Sequence, residues 1–495
     1  MESIWSKNTC FPERTPLSGD ISVQAAVIGG GMAGILTAYL LKEKGIDAVV
    51  LEAQRVGSGQ TRNTTAKITS QHGLIYDKLL LEFGDLAGQY AVLNQKAIAE
   101  YRRIVNQLNI DCSLEEVPSY LYSVADAEPL RREAETASRL GIPASFVTET
   151  ELPFSIKGAV RFDGQAQFDP LKFLKAISER LTVFENTVVR EVKDNRIQTD
   201  NGTVEAEQIV FATHYPFLNV PGYYFMRMHQ ERSYLLALKN AMKLNGMYLG
   251  IDPDNSFSLR CAGEYLLLGG GGHRTGENRA GGKYEKLRQK AAGLWPDSIE
   301  EAHWSAQDCM PMDSVPYIGQ YAASTPSWYV ATGFRKWGMT SSMAAAMLLS
   351  DAIAGQENPY AEIFSPDRFT PSASAKNFFK DSGHAVKGLS RQIFAPARGA
   401  VADMPEGHGG IVEVDGEKLG VYKDEDGKLY AVSARCPHLG CQLEWNPDEK
   451  SWECPCHGSR FNYLGELING PAHSFLREHL FLYENYFCWT NRGRL

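Results

Sequence analysis

Residues 24–52 restrict the possible folds of this chain more than any other stretch. Gln24–Ile28 is a short apolar run. It is followed by Gly29-Gly30-Gly31-Met32-Ala33-Gly34, by Ile35, Leu36, Tyr39 and Leu40 at helical spacing, and by a second apolar run, Ala48-Val49-Val50-Leu51, that ends on Glu52. The pattern predicts strand, helix and strand, a βαβ unit. Gly29 permits a tight turn, Gly31 lets the backbone approach a pyrophosphate, and Gly34 lets the helix pack on the strand. The helix start at Met32 and Ala33 offers free N–H groups and a positive dipole end to phosphates. Glu52 lies 23 residues after Gly29, where an acid can bond ribose hydroxyls. This is a dinucleotide site, and the motif alone does not separate FAD from NAD.

The chain has 495 residues, and single hydrophobic cores stop growing at roughly 250–300 residues, so several domains are expected. With 43% hydrophobic and 22% charged residues, ordinary cores can form and a disordered chain is excluded. The net charge of −9 argues against a nucleic-acid binder, whose phosphate contacts need a basic face, and favours a small-molecule site. Met1–Asp20 carries Glu2 and Glu13 in place of a basic, then apolar, leader, so a cytoplasmic location is expected. Ile21–Leu41 and Ser314–Phe334 are charge-free over 21 residues each, but glycine and polar residues interrupt both, and no transmembrane segment is expected.

Further along, Asp77–Leu108 reads as one long helical pattern. Asp169 is placed as N-cap of a helix running to Leu181 with Pro170 at its first position, and Ile197–Ala206 reads as a hairpin around Asp200-Asn201-Gly202. Between Tyr223 and Gly270 strands follow one another without helices, which predicts an antiparallel sheet. Trp328–Ala331 is a buried strand and Thr340–Ile353 an alanine-rich helix. Residues 356–405 read as a connector with one amphipathic helix placing Phe378, Phe379, Val386, Leu389 and Ile393 on one face. Short strands and turns dominate from Gly409 onward. Gly269–Gly272 follows a strand but no apolar helix begins after it, so it is not a second dinucleotide fingerprint.

Two later segments bear on the choice of dinucleotide. Pro311-Met312-Asp313-Ser314-Val315-Pro316-Tyr317-Ile318-Gly319 and Ala331-Thr332-Gly333-Phe334-Arg335-Lys336-Trp337-Gly338-Met339-Thr340 resemble stretches of the D-amino-acid-oxidase-like superfamily of FAD enzymes. The resemblance covers roughly residues 20–355 and implies FAD. It implies that Gly333, Phe334, Gly338, Met339 and Thr340 approach the flavin, where N–H groups ahead of a helix suit charge developing near N1 and C2=O. It also implies that Thr61–Lys67 threads along the flavin, with Thr64 and Thr65 in hydroxyl or backbone contact. Candidate substrate or flavin-face residues are His214, Tyr234, His273, Arg335, Lys336 and Trp337, each with a structural role as the alternative. No flavin-linking pattern is visible around His72.

Of nine cysteines, four crowd near the end, in Cys436-Pro437-His438-Leu439-Gly440-Cys441 and Cys454-Pro455-Cys456-His457-Gly458-Ser459. A Rieske [2Fe-2S] centre needs two thiolates on one iron and two imidazoles on the other, and each loop supplies one of each. A zinc site is the competing assignment, but Cys-x-His with Cys-x2-His departs from the usual zinc spacings. The loops resemble Rieske proteins, which implies Cys436, His438, Cys454 and His457 as ligands, Gly470-Pro471-Ala472 as a covering loop, and a Cys441–Cys456 disulfide of the cytochrome-bc type. Ser459 is expected to hydrogen-bond a bridging sulfide. Phe461 stands where high-potential members carry tyrosine, which implies a potential below the top of the family range of about −150 to +300 mV.

The fold class expected is therefore α/β: an FAD-binding Rossmann-like domain with an inserted antiparallel substrate sheet, then an all-β Rieske domain. The boundaries expected are 20–355 for the flavoprotein, with the insertion mainly about 223–305, then 356–405 and 406–495. The resemblance implies oxidation of a small organic substrate, an amine or amino acid, with electrons leaving FAD through the cluster to an external protein or quinone. Two alternatives are a reductase component fed by NAD(P)H or a partner protein, and a redox sensor switching on Cys441 and Cys456.

Overall fold

The computed structural model describes residues 2–254, 256–368 and 401–479. The amphipathic stretch from Phe378 to Ile393 lies outside the described residues. The chain divides into two compact units, the first made of Met1–Met228, Arg232–Gly272 and Tyr284–Ala375, the second of His229–Glu231, His273–Lys283 and Lys376–Leu495.

In the first unit the predicted βαβ forms as strand Ile21–Ile28, helix Met32–Glu43 and strand Ala48–Leu51. Ile21–Ile28 is central, parallel to Ala48–Leu51 on one side and to Gly202–Phe211 on the other. Thr182–Phe184 and Trp328–Thr332 extend the sheet in parallel at either flank, and hairpin strand Arg196–Thr199 pairs antiparallel with Gly202–Phe211. Ile28 is in register with both Leu51 and Phe211, so three strand ends converge where Gly29 begins its turn. Helix Met32–Glu43, buried over its first ten residues, packs against helix Gly338–Ile353, whose Ala344, Ala345 and Ala346 permit close approach.

A second eight-stranded sheet runs in the order Ile299–Pro311, Met228–Lys239, Tyr265–Arg274, Ser258–Ala262, Met247–Gly250, Ser119–Ser123, Gly158–Phe162, Ala144–Val147. The expectation of an antiparallel sheet drawn from 223–270 needs correction on two points. Three strands come from residues 119–162, and Met247–Gly250 pairs with Ser119–Ser123 in parallel. Tyr120 and Tyr248, opposite one another in that pair, stack at 4.7 Å, a cross-strand aromatic contact that helps fix the junction. The helical pattern 77–108 is also broken. Tyr76–Phe83 ends at Gly84, whose φ of +56° leaves the helical region, and Ala87–Leu108 starts afresh. Helix Pro170–Ser178 stops three residues short of Leu181, and Asp169 caps it by accepting from the N–H groups of Leu171 and Lys172.

The second unit carries a three-stranded antiparallel sheet, Gly409–Val414, Glu417–Lys423 and Leu429–Ser433, and a four-stranded one, Glu444–Asn446, Ser451–Glu453, Arg460–Asn462 and Leu467–Asn469. Tyr422, Leu443, Trp445, Trp452 and Phe461 form its core together with the clustered cysteines. No helix among the described residues is long and apolar enough to cross a membrane.

Candidate functional sites: a dinucleotide turn and two Cys/His loops

The glycines of the turn serve different ends. Gly29 has φ +114°, and a Cβ there would lie 2.5 Å from the Ala212 carbonyl oxygen. A Cβ on Gly34 would lie 1.9 Å from the Gly29 oxygen. At Gly31 the nearest atom to such a Cβ is Thr61 Oγ1 at 3.4 Å. Folding therefore demands Gly29 and Gly34, whereas at Gly31 the fold leaves room that a side chain could fill. That room, at the N-terminus of helix Met32–Glu43, is where a pyrophosphate would rest against backbone, so the residues fit a dinucleotide. Thr61 Oγ1 accepts from Met32 N–H at 3.0 Å, a contact that the spacing of the motif does not reveal. Glu52 stands at the same mouth. Its Oε2 accepts from Gly30 N–H at 2.6 Å and its Oε1 from Gln54 N–H at 2.8 Å, while burial raises its carboxyl above the ordinary range.

The thread from Thr61 to His72 is held from several sides. Thr64 Oγ1 accepts from Ala66 N–H at 2.9 Å, the Thr64 carbonyl accepts from Trp5 Nε1 at 2.8 Å, and the Thr65 and Ala66 carbonyls accept from Arg260 Nη1 at 2.9 and 2.7 Å. Lys67 is buried, donating to the Tyr248 carbonyl and to Ser258 Oγ. Burial, with the Arg260 charge as a smaller cause, holds its amine down to about 7. Neither buried cation carried a sequence signal, because their partners come from strands nearly two hundred residues away.

The expected flavin-proximal loop is tied to this thread. Thr340 Oγ1 donates to the Thr69 carbonyl at 2.8 Å and accepts from Thr69 N–H at 2.9 Å, so its hydroxyl is engaged within the protein. Trp337 stacks on His72 with ring centroids 5.0 Å apart. His72 Nε2 lies 2.6 Å from the Thr69 carbonyl, which can only accept, so Nδ1 is the acceptor for Tyr90 Oη at 2.5 Å. This histidine is a structural joint, and burial pushes it down to about 3. Gly333 has φ +74° and Arg335 φ +54°, and Tyr101 Oη donates to the Met339 carbonyl. Phe334 is half-buried, and Gly338 opens helix Gly338–Ile353. The Pro-x-Asp segment has a structural purpose that sequence reading missed: Asp313 accepts twice from Arg368, at 2.7 and 2.9 Å, with both side chains buried.

The six substrate-side candidates lie on different elements. Tyr234 lies in an apolar core with Leu236, Leu238 and Tyr284, its ring edge-on to Tyr284 at 4.9 Å. His214 has φ +66° and its carbonyl accepts from Thr332 Oγ1, and burial lowers its imidazole to about 4. His273 belongs to the second unit. Arg335, Lys336 and Trp337 share the loop between strand Trp328–Thr332 and helix Gly338–Ile353.

The Cys/His loops have one backbone pattern. In the first, Gly440 N–H donates to the Cys436 carbonyl and Cys436 N–H to the Cys441 carbonyl. In the second, Gly458 N–H donates to the Cys454 carbonyl and Cys454 N–H to the Ser459 carbonyl, all four at 2.8–2.9 Å. Both end in glycines with φ near +80°, at +79° and +83°. The loops bring the His438 and His457 rings to 4.9 Å at right angles and the Cys436 and Cys454 thiols into hydrogen-bond contact. That contact pulls the Cys436 thiol below its ordinary range while it and burial raise Cys454, so one thiol of the pair ionises readily. Burial lowers His438 and His457 to about 4 and about 3, keeping neutral the rings that metal binding needs. Two buried thiols and two neutral imidazoles suit an iron-sulfur centre. Cys441 and Cys456 face one another with Cα atoms 6.7 Å apart, and their sulfurs and that of Cys454 lie within 4.8 Å of one another. Ser459 Oγ accepts from Ala472 N–H at 3.0 Å, linking Gly470–Ala472 to the second Cys/His loop.

Comparison with known proteins identifies two domains. Residues 24–352 match the FAD dependent oxidoreductase family and residues 396–479 the Rieske [2Fe-2S] domain. The chain belongs to the FAD dependent oxidoreductase family and carries a C-terminal Rieske domain. It is 37% identical over 489 residues to the Rieske 2Fe-2S iron-sulfur protein YhfW of Bacillus subtilis (strain 168), covering 95% of this chain and 96% of that one. The cytochrome b6-f complex iron-sulfur subunit of Chlorobaculum tepidum is 39% identical over 75 residues, 15% of this chain and 41% of that protein. Among solved structures, glycine oxidase from Geobacillus kaustophilus aligns with TM-score 0.61 at 20% identity over 70% of this chain and 99% of that one. L-Amino acid deaminase from Proteus myxofaciens aligns with TM-score 0.60 at 15% identity over 74% and 97%. These likenesses show the fold. The FAD-binding fold, the strand-rich Rieske domain and the two cofactors they imply, FAD and a [2Fe-2S] cluster, agree with the sequence reading.

Proposed function

We propose that the chain oxidises an amine or amino acid and hands the electrons to an external protein or quinone by way of its iron-sulfur centre. The observation that carries the organic substrate over NAD(P)H is the course of Gly269–Gly272, which lies inside strand Tyr265–Arg274 instead of ahead of a helix. Among the described residues the turn at Gly29–Gly34 is the dinucleotide fingerprint, and it is taken by FAD. The fold neighbours that act on amino acids support the substrate class.

When bound, FAD supplies a two-electron acceptor and the cluster a one-electron one. The chain supplies the rest. The backbone at Gly31 and Ala33, with Met32 tied to Thr61, would border the pyrophosphate, and Glu52 would accept from the ribose. The Gly333–Thr340 loop, held by Thr69 and His72, would border the flavin, with Thr64 and Thr65 on the thread beside it. Cys436, His438, Cys454 and His457 ligate the two irons, and the Cys441–Cys456 disulfide ties their loops. With two of the three neighbouring sulfurs consumed by that bond, an all-thiolate site is disfavoured.

Anaerobic mixing with a panel of amines and amino acids, and separately with NADH and NADPH, tests this reading. Bleaching of the flavin by a member of the panel and not by the nicotinamides is expected. Bleaching by NADH or NADPH alone would replace it with a reductase component.

A further inference from the structure

The second Cys/His loop is not enclosed by C-terminal residues alone. The compact unit that holds it contains two segments from far upstream, His229–Glu231 and His273–Lys283. Gln230 is buried, and its Nε2 donates to the carbonyl oxygens of His457 at 2.6 Å and Gly470 at 3.2 Å. The Arg274 guanidinium donates to the carbonyls of Pro455 at 3.2 Å and Cys456 at 3.4 Å. The approach is close enough to require glycine. A Cβ on Gly458 would lie 2.6 Å from Gln230 Cβ, and one on Gly276 would lie 2.7 Å from Pro455 N.

The upstream segment is anchored on both sides of these contacts. Gly276 N–H donates to Glu453 Oε2 at 3.0 Å, and Asn278 Nδ2 donates to Asn446 Oδ1 at 3.0 Å and Asp448 Oδ2 at 2.8 Å. Gly282 and Lys283 N–H groups both donate to the Asp448 carboxylate at 3.0 Å. Arg274 and Gln230 therefore meet the loop as parts of a fixed clasp.

Neither Gln230 nor Arg274 is one of the four candidate ligands, yet both grip the peptide from which Cys454 and His457 project. Reduction adds one negative charge to an iron-sulfur centre. A guanidinium and an amide dipole fixed on the carbonyls of a ligand loop favour that added charge, and in a buried site they act with little screening. Phe461 lacks the tyrosine hydroxyl that would give the centre one more donor, so the clasp acts in the opposite direction to that loss.

We propose that Gln230 and Arg274 are positioning residues that hold the Cys454–Gly458 loop and raise the reduction potential of the centre it binds. The proposal rests on the ligand assignment given under Proposed function. The test is the midpoint potential of the centre in the full chain, read by redox titration of its electron paramagnetic resonance signal. Arg274→Gln is expected to make reduction about tenfold less favourable, a fall of about 59 mV for one electron. Arg274→Lys, which keeps the charge, is expected to stay near the parent. An unchanged potential in Arg274→Gln with the cluster retained overturns the proposal, as does an equal fall in Arg274→Lys. If Arg274→Gln does not retain its cluster, Gln230→Leu decides: a smaller fall supports the proposal, and no fall overturns it. A parent chain with no Rieske signal overturns the ligand assignment itself, and this inference with it.

Discussion

The turn at Gly29–Gly34 and the loops at Cys436–Cys441 and Cys454–Ser459 build sites in opposite ways. The turn works through atoms that are missing: Gly29 and Gly34 let the backbone close on itself, and Gly31 leaves room for a ligand. The loops work through atoms that are present, four soft donors carried on two copies of one hydrogen-bonded backbone pattern. A change at the turn is thus felt by the fold or by the ligand according to which glycine is hit. A change of donor in the loops should be felt by the ligand first, because Trp445, Trp452 and Phe461 carry the core beneath them.

The largest expected effect tests the first half of that contrast. Gly34→Val would place carbon 1.9 Å from the Gly29 carbonyl oxygen, a backbone atom that cannot swing aside as a side chain would, so a cost above the usual 1–3 kcal/mol of overpacking is expected. The first unit should fail to fold, seen as insoluble chain or loss of its cooperative thermal transition. His457→Ala tests the second half. Iron and acid-labile sulfide should drop while circular dichroism and substrate-driven flavin reduction in a single anaerobic turnover survive. A chain that loses its fold with that imidazole would mean the loops are not independent of their ligands.

Gly31→Val separates the two kinds of glycine. Its Cβ has no neighbour nearer than 3.4 Å, so the apo chain should melt within a few degrees of the parent, while FAD, measured by flavin fluorescence after gel filtration, should be lost. Cluster content should be unchanged. A large drop in melting temperature would place Gly31 with Gly29 and Gly34 as a residue the fold itself requires.

How far the sequence could be read follows the same division. The turn was legible because Gly29, Gly31, Gly34 and Glu52 lie within one βαβ unit, and the candidate ligands because four residues sit in two short loops. What lies far apart in sequence was not legible. Strands Ser119–Ser123, Ala144–Val147 and Gly158–Phe162 were missed because helix Glu128–Arg139 interrupts them and Ser119–Ser123 alone joins them to the later strands, through Met247–Gly250. Lys67 and Arg260 gave no sign of burial, since long cationic side chains are ordinarily exposed and their acceptors are carbonyls and a hydroxyl. Tyr234 was singled out for its chemistry and turned out to be core, because an aromatic residue on an alternating strand serves a hydrophobic face equally well.

A smaller effect is expected at Thr340, where flavin-proximal loop and thread are joined by one hydroxyl. Thr340→Val keeps the shape but leaves the Thr69 N–H and carbonyl without their partner in a site that is 1% exposed at Thr340. Two buried groups so stranded cost about 2–4 kcal/mol. Urea unfolding of the apo chain should show that loss, and Thr340→Ser should recover most of it. A loss below about 0.5 kcal/mol would mean that the hydroxyl faces the flavin and does not serve the fold.

The smallest effect concerns a histidine that is not proposed as a ligand. Burial holds His72 at about 3, far below the 6.5 expected of an exposed imidazole. Above the ordinary value both folded and unfolded chains carry it neutral, and it contributes nothing to pH dependence. As pH falls below that value the unfolded chain takes up a proton that the folded chain refuses, so stability is lost, at about 1.4 kcal/mol per pH unit for one group, until the folded value is reached. The neutral ring is needed because Nδ1 must accept from Tyr90 while Nε2 donates to Thr69. Denaturant unfolding of the apo chain between about pH 6.5 and pH 4.5 should therefore show a shallower acid loss in His72→Gln than in the parent, by close to that slope. Equal slopes would mean that His72 is protonated in the folded chain, and that the Thr69–His72–Trp337 joint is held by charge and not by the neutral hydrogen bonds described here.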